Sequence, residues 1–213
     1  MAKLARLDLV ERLQRRVGGL FGGSAPSVWM LTSTAVRLRA ILRGSGDVGR
    51  VRTPGERYIA HHLAVADAHL SLVRAHRLGK LVLHALHVEP ESWRSYDGSG
   101  GERRTLKPDL TVVVSPPGDD GFEDHYFAEI DLGSESIPTV LRQCRQYLDY
   151  RATGQAQRRD GVFPWVVWVA PPRRAERIRE AIEQARGMDQ SLFKVTTPDG
   201  LIGLLTEGFN GTG

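Results

Sequence analysis

Two carboxylates stand two residues apart in FAEIDLGSES, residues 127–136. In extended backbone alternate side chains share a face, so Glu129 and Asp131 point one way while Ala128, Ile130 and Leu132 point the other. A third acid, Asp109, heads the β-branched run PDLTVVVS and shares its face with Thr111 and Val113. If these two runs pair as a hairpin, Asp109 comes beside Glu129 across the ladder. A fourth acid, Glu56, opens a long helical pattern. Carboxylates gathered in this way repel one another unless a cation sits among them. The cation suited to oxygen donors is hard and divalent, so Mg²⁺ or Mn²⁺ is the expected cofactor, with Asp109 and Glu129 as its ligands. Such an ion activates water and clamps a phosphate oxygen. Gln143 and Tyr147, four residues apart on the next helix, share one side of it and are expected to orient an acid, a water or a phosphate. Arg142 and Arg145 on that helix are candidates for meeting DNA phosphates. Each motif also has a plain structural reading: an acid before a turn, a strand start after proline, a polar helix rim.

The elements that must hold these residues follow from hydrophobic period. Residues 9–13 and 28–32 alternate as two short strands around the glycine-rich stretch 18–23, a hairpin. A helix follows, with Ser33 expected at its N-cap. Residues 44–56 read as a linker. From Glu56 to about Leu78 the apolar residues Ile59, Leu63, Ala66, Leu70 and Val73 recur at three- and four-residue steps, which predicts one face of a long helix ending at Gly79. Val65 and Leu72 lie opposite that stripe and imply a second covered side. KLVLHALHVEP reads as a strand, SWRSYDGSGGERRTLK as a loop, and the runs at 108–115 and 125–133 as strands. A helix spans Glu135 to Arg151. FPWVVWVAP is apolar throughout, the mark of a strand buried on both faces. A helix over RRAERIREAIEQAR and a strand at LFKVTT close the body. The whole reads as α/β with a mixed sheet: three antiparallel strands in succession, then a parallel βαβ crossover.

Charge is unevenly placed. Residues 1–57 carry one lysine and ten arginines against four acids, while the remainder holds 18 basic and 21 acidic residues. A basic N-terminal block beside a slightly acidic body suits a polyanion such as DNA. With 41% hydrophobic residues the chain can bury a core, and no apolar run is long enough to span a membrane. The charged N-terminus is unlike a signal peptide, and a lone cysteine, Cys144, fits a reducing cytoplasm, the expected location. His61, His62 and His69 lack the partners of a zinc finger and read as helix-flank residues, one of them packing toward the acids. Trp93, Trp165 and Trp168 read as packing residues.

An acid on the first helix, "PD" on a strand, "ExD" on the next and "QxxxY" on the following helix together resemble the PD-(D/E)XK nuclease fold, with its αβββαβ core. RTLKPDLTVVV, FAEIDLGSESIPTVLRQCRQYLDYRATG and FPWVVWVAPPRRAERIREAI look like the replication-relaxation family of plasmid and mobile-element proteins, over nearly the whole chain. The resemblance implies a truncated winged-helix-like segment (1–45), a linker (46–55), a nuclease-like domain (56–200) and a tail (201–213). Only the end of a winged helix is recognisable, which implies a shortened chain or a start assigned late. Arg12, Arg15 and Arg16 would lie on its wing and contact DNA. Glu56, Asp109, Glu129, Asp131, Gln143 and Tyr147 would form the catalytic set. The nuclease signature places lysine two residues after the glutamate, where it stabilises charge on the attacked phosphate. Asp131 stands there instead, with Lys107, Arg142 or Arg145 left to supply a positive charge. Two expectations result: metal-dependent cleavage or nicking of DNA in replication or relaxation, or a non-catalytic DNA-binding or dimerising module of replication or transcription control. DNA is the expected partner, with a second copy of the chain as a further candidate.

Overall fold

The structure is a computed structural model that describes residues 1–13, 27–44, 55–98, 100–118, 121 and 123–207. The chain divides into two units, Met1–Gly55 and Glu56–Gly213.

In the first unit a short helix α1 (Ala2–Arg6) precedes strand β1 (Val10–Arg12), which pairs antiparallel with β2 (Trp29–Leu31) in the register Val10↔Leu31. Helix α2 (Ser33–Leu42) follows. Its N-cap is Thr32 rather than Ser33: the Thr32 hydroxyl accepts the Ala35 N–H at 3.2 Å from an extended backbone, and Ser33 is already helical. Arg12 is exposed on β1, whereas Arg15, Arg16 and the 18–23 glycine stretch lie outside the described residues.

The second unit opens with the long helix α3 (Glu56–Arg77), after which Gly79 adopts φ +68°, a conformation glycine tolerates without steric cost. Then come β3 (Val82–Val88), the hairpin β4 (Arg94–Asp97) and β5 (Arg103–Leu106), β6 (Leu110–Ser115) and β7 (Asp124–Ile130). Helices α4 (Ile137–Ala152) and α5 (Gln155–Asp160) lead to β8 (Trp165–Val169), α6 (Pro172–Gln184), β9 (Phe193–Thr196) and α7 (Leu201–Glu207). The sheet order is β3-β6-β7-β8-β9; the first two pairings are antiparallel and the last two parallel. This is the mixed α/β architecture expected from the sequence. In chain order these elements are α3, β3, the β4–β5 hairpin, β6, β7, α4, α5 and β8.

Three segments differ from expectation. Residues 94–97 and 103–106, read as parts of a loop, form β4 and β5, because Tyr96 and Leu106 are buried anchors amid polar neighbours. Residues 201–207, read as tail, form α7, which buries Leu201 and Leu205. The buried side of α3 is also the opposite one. Ala68, Leu72 and Ala75 are buried, with Ala64 and Val65 packed beside them, while Leu63 and Leu70 are about half exposed. The small residues win because they let the helix lie close against the sheet.

Each sheet face carries its own core. Leu72, Leu110, Val112, Val114, Ile130, Val167 and Leu205 fill one side. Phe127, Val140, Tyr147, Tyr150, Val166, Trp168 and Ile178 fill the other, beneath α4 and α6. Residues 166–169 are buried throughout, as their unbroken apolar run requires.

Candidate functional site

The β6–β7 register pairs Leu110 with Ala128. One step further along, Asp109 faces Glu129 at the open end of the hairpin. Both are buried, at 8% and 9% exposure. Their common face is the one that alternation assigned to them, and they line a cavity of about 400 Å³ together with Asp131, Glu89, Lys107 and Gln143.

Each acid is answered by a group from a different element. Asp109 Oδ2 accepts the Ile130 backbone N–H at 2.7 Å, and its Oδ1 lies 2.9 Å from His61 Nε2 on α3. The hydrogen bond to Asp109 raises the His61 pKa above its ordinary value, against the opposing effect of burial. Glu129 Oε1 accepts the Tyr147 hydroxyl from α4. Burial, and then the charge of Asp109, push the Glu129 carboxyl well above the usual carboxylate range. Burial also pushes the Tyr147 phenol up, followed by the charge of Glu129, so Tyr147 stays a donor.

Asp131 lies one residue beyond β7, and its N–H continues the sheet by donating to Val169 O at 2.9 Å. Its Oδ2 receives two donors from Arg174 on α6, Nε at 3.0 Å and Nη2 at 2.6 Å. Arg174 Nη2 also reaches Glu135 O at 2.8 Å. Gly133, at φ +82°, turns its N–H back onto Asp131 Oδ1. Both side chains of the ion pair are buried, at 10% and 5% exposure.

Of the remaining expected site residues, Gln143 lines the cavity, and its Oε1 is buried with no hydrogen-bond partner. Lys107 also lines it, with Nζ 4.3 Å over the ring of Trp93. Glu56 does not line it; the residue is exposed on the first turn of α3, and this helix delivers Arg57, Tyr58 and His61 instead, the last in contact with Asp109. Arg142 and Arg145 are exposed on α4, away from the cavity lining. Among the described residues no three His, Cys, Asp or Glu side chains are grouped so as to hold an ion.

Sequence reasoning expected one of His61, His62 and His69 to pack toward the acids without choosing among them, and the structure selects His61. Sequence reasoning passed over Arg174. The signal for His61 was available: it heads the series 61, 65, 68, 72, 75, whose three- and four-residue steps mark the true inner face of α3. Arg174 offers no such signal, being one of several arginines at the start of α6.

Residues 1–166 match the family model described as replication-relaxation. The chain belongs to the replication-relaxation family. Membership points to a part in plasmid or mobile-element replication or relaxation. The matched span contains Asp109, Glu129, Asp131, Gln143 and Tyr147, and ends before Arg174. Neither a curated protein nor a solved structure matches the chain. Among the described residues no helix is long and apolar enough to cross a membrane.

Proposed function

We propose that this chain is a DNA-binding member of the replication-relaxation family whose nuclease-like body, of PD-(D/E)XK type, holds its carboxylates in a self-neutralised state and binds DNA without cutting it. The observation that carries this reading is the Asp131–Arg174 pair. Where the nuclease signature needs a lysine free to meet the attacked phosphate, this chain has an acid already engaged by a buried arginine. Asp109 and Glu129 are likewise committed, to His61, the Ile130 N–H and Tyr147. The basic N-terminal block, together with exposed Arg12, Arg142 and Arg145, supports contact with the phosphate backbone.

A second reading, metal-dependent cleavage, is favoured by one specific feature. Gln143 Oε1 is an orphaned oxygen on a residue that lines the same cavity as two carboxylates that repel each other. Asp109, Glu129 and Gln143 are donors of the type Mg²⁺ or Mn²⁺ takes, and such an ion would supply an activated water and a clamp on phosphate. As they stand, the two carboxylates are turned to protein partners and do not leave a ready set.

Retention on plasmid DNA across a salt gradient, and nicking of supercoiled plasmid with Mg²⁺ or Mn²⁺, separate the two. Expected are retention that falls steeply with salt and no nicking above buffer alone. Nicking by the wild type that disappears in Asp109→Ala and Glu129→Ala would establish the second reading. Absence of retention at low salt would sink both.

A further inference from the structure

The sheet face that carries Asp109 and Glu129 continues along the strands to a different set of groups. Thr111 pairs with His87 on one side and Phe127 on the other, and Val113 with Ala85 and His125. Over this patch stand Arg94, the first residue of β4, and the Arg159–Asp160 end of α5; together they bound a cavity of about 210 Å³.

Three features of this cavity call for an occupant. Thr111 is buried at 6% exposure, and its Oγ1 has no hydrogen-bond partner. Arg94 spends Nη1 on the carbonyls of Glu91, Ser92 and Trp93 at 3.0, 2.9 and 3.0 Å, yet its Nε is buried with nothing to donate to. A buried donor left unsatisfied forfeits its hydration with nothing in return, and a charged one forfeits more. The third feature is charge. Arg159 gives Nε and Nη2 to Asp160 at 2.8 and 2.5 Å, so the one carboxylate on the wall is taken up by its neighbour. With Arg159 and Asp160 offsetting each other, the charge of Arg94 is the one left uncompensated, and its pKa is lowered by burial first and by the charge of Arg159 next.

Water would satisfy the Thr111 hydroxyl but would not offset the charge of Arg94. A tetrahedral oxoanion meets all three needs: one oxygen accepts from Thr111, another from Arg94 Nε, and its charge balances that of Arg94. Arg159, about half exposed, leaves the site open to solvent.

We propose that this cavity is a phosphate-binding site, separate from the carboxylate cavity and built from Thr111, Arg94 and Arg159. It does not depend on whether the carboxylates cut DNA. The phosphate is either inorganic phosphate or the terminal phosphate of a nucleic-acid strand.

Isothermal titration of the full chain with inorganic phosphate, for wild type, Thr111→Val and Arg159→Gln, tests the site. Arg94 is left intact because it holds three carbonyls of a turn. Saturable binding by the wild type is expected, about tenfold weaker in each variant, as loss of one charge-assisted or buried hydrogen bond predicts. Thermal melts without phosphate should show Arg159→Gln folded like the wild type, since α5 presents this side chain to solvent. A second arm compares a short oligonucleotide with a 5′-phosphate and the same strand with a 5′-hydroxyl. Tighter binding of the phosphorylated strand that is lost in Arg159→Gln assigns the site to strand ends. Equal binding of the two strands, with inorganic phosphate still bound, assigns it to the free anion. No saturable phosphate binding by the wild type, or wild-type affinity in both variants, overturns the proposal.

Discussion

Arg174 holds Asp131 in a place with little access to water, so the two cannot be judged one at a time. Truncating Arg174 to alanine leaves a buried carboxylate without its counterion, and such a loss costs about 3–5 kcal/mol. In the double variant Asp131→Ala/Arg174→Ala no charge is stranded, and much of that loss should be recovered. Urea unfolding of the four members of this cycle gives the coupling; a loss under about 1 kcal/mol in Arg174→Ala would show that the pair does not hold this end of the sheet. Glu129 gives a second prediction, in pH. Its folded pKa lies above its ordinary value, so between the two the folded state keeps a proton that the unfolded chain has released. Stability therefore falls as pH climbs through that window. His61 adds to the fall: its raised pKa contributes fully below its ordinary 6.5 and is lost as pH rises through the folded value. Glu129→Gln should remove the first part of the decline and leave the second. Unfolding free energies measured from pH 4 to 8 check this, and an unchanged slope in the variant would show that Glu129 is not the group responsible.

Helix α3 shows where reading by element succeeds and where it fails. Its existence and both of its ends are plain from period, the opening acid and Gly79. Its orientation is not, because the helix carries two apolar stripes. The stripe through Leu63 and Leu70 has the larger side chains, and hydrophobicity alone selects it. The stripe through Ala68, Leu72 and Ala75 fits closer to the flat side of a sheet, and packing selects that one. Leu72→Ala should cost about 2–5 kcal/mol, whereas Leu70→Ser should stay within about 0.5 kcal/mol, both read by denaturant midpoint. The reverse ranking would restore the stripe that hydrophobicity favours. The β4–β5 hairpin was hidden for a related reason: its two apolar anchors are single residues in a run rich in glycine and arginine, too sparse to show a period of two.

Across the whole molecule, what could be read from the sequence tracks sequence separation. Asp109 and Glu129 meet through one local hairpin, so alternation alone was enough to bring them together. Tyr147 follows Glu129 by 18 residues on the next helix and was likewise within reach. His61 meets Asp109 across 48 residues, and Arg174 meets Asp131 across 43. Those contacts depend on how helices settle on opposite sides of the sheet, which period does not encode. The same holds for Thr111, Arg94 and Arg159, which three separate elements bring to one cavity. The sheet has one more consequence, at its margins. Its outermost strands are β3 and β9. The first breaks register between Leu83 and Ala85, and the second is only four residues long. An irregular border and a stubby one both make poor templates for an incoming strand, so this body is guarded against growing by edge-to-edge stacking into fibres.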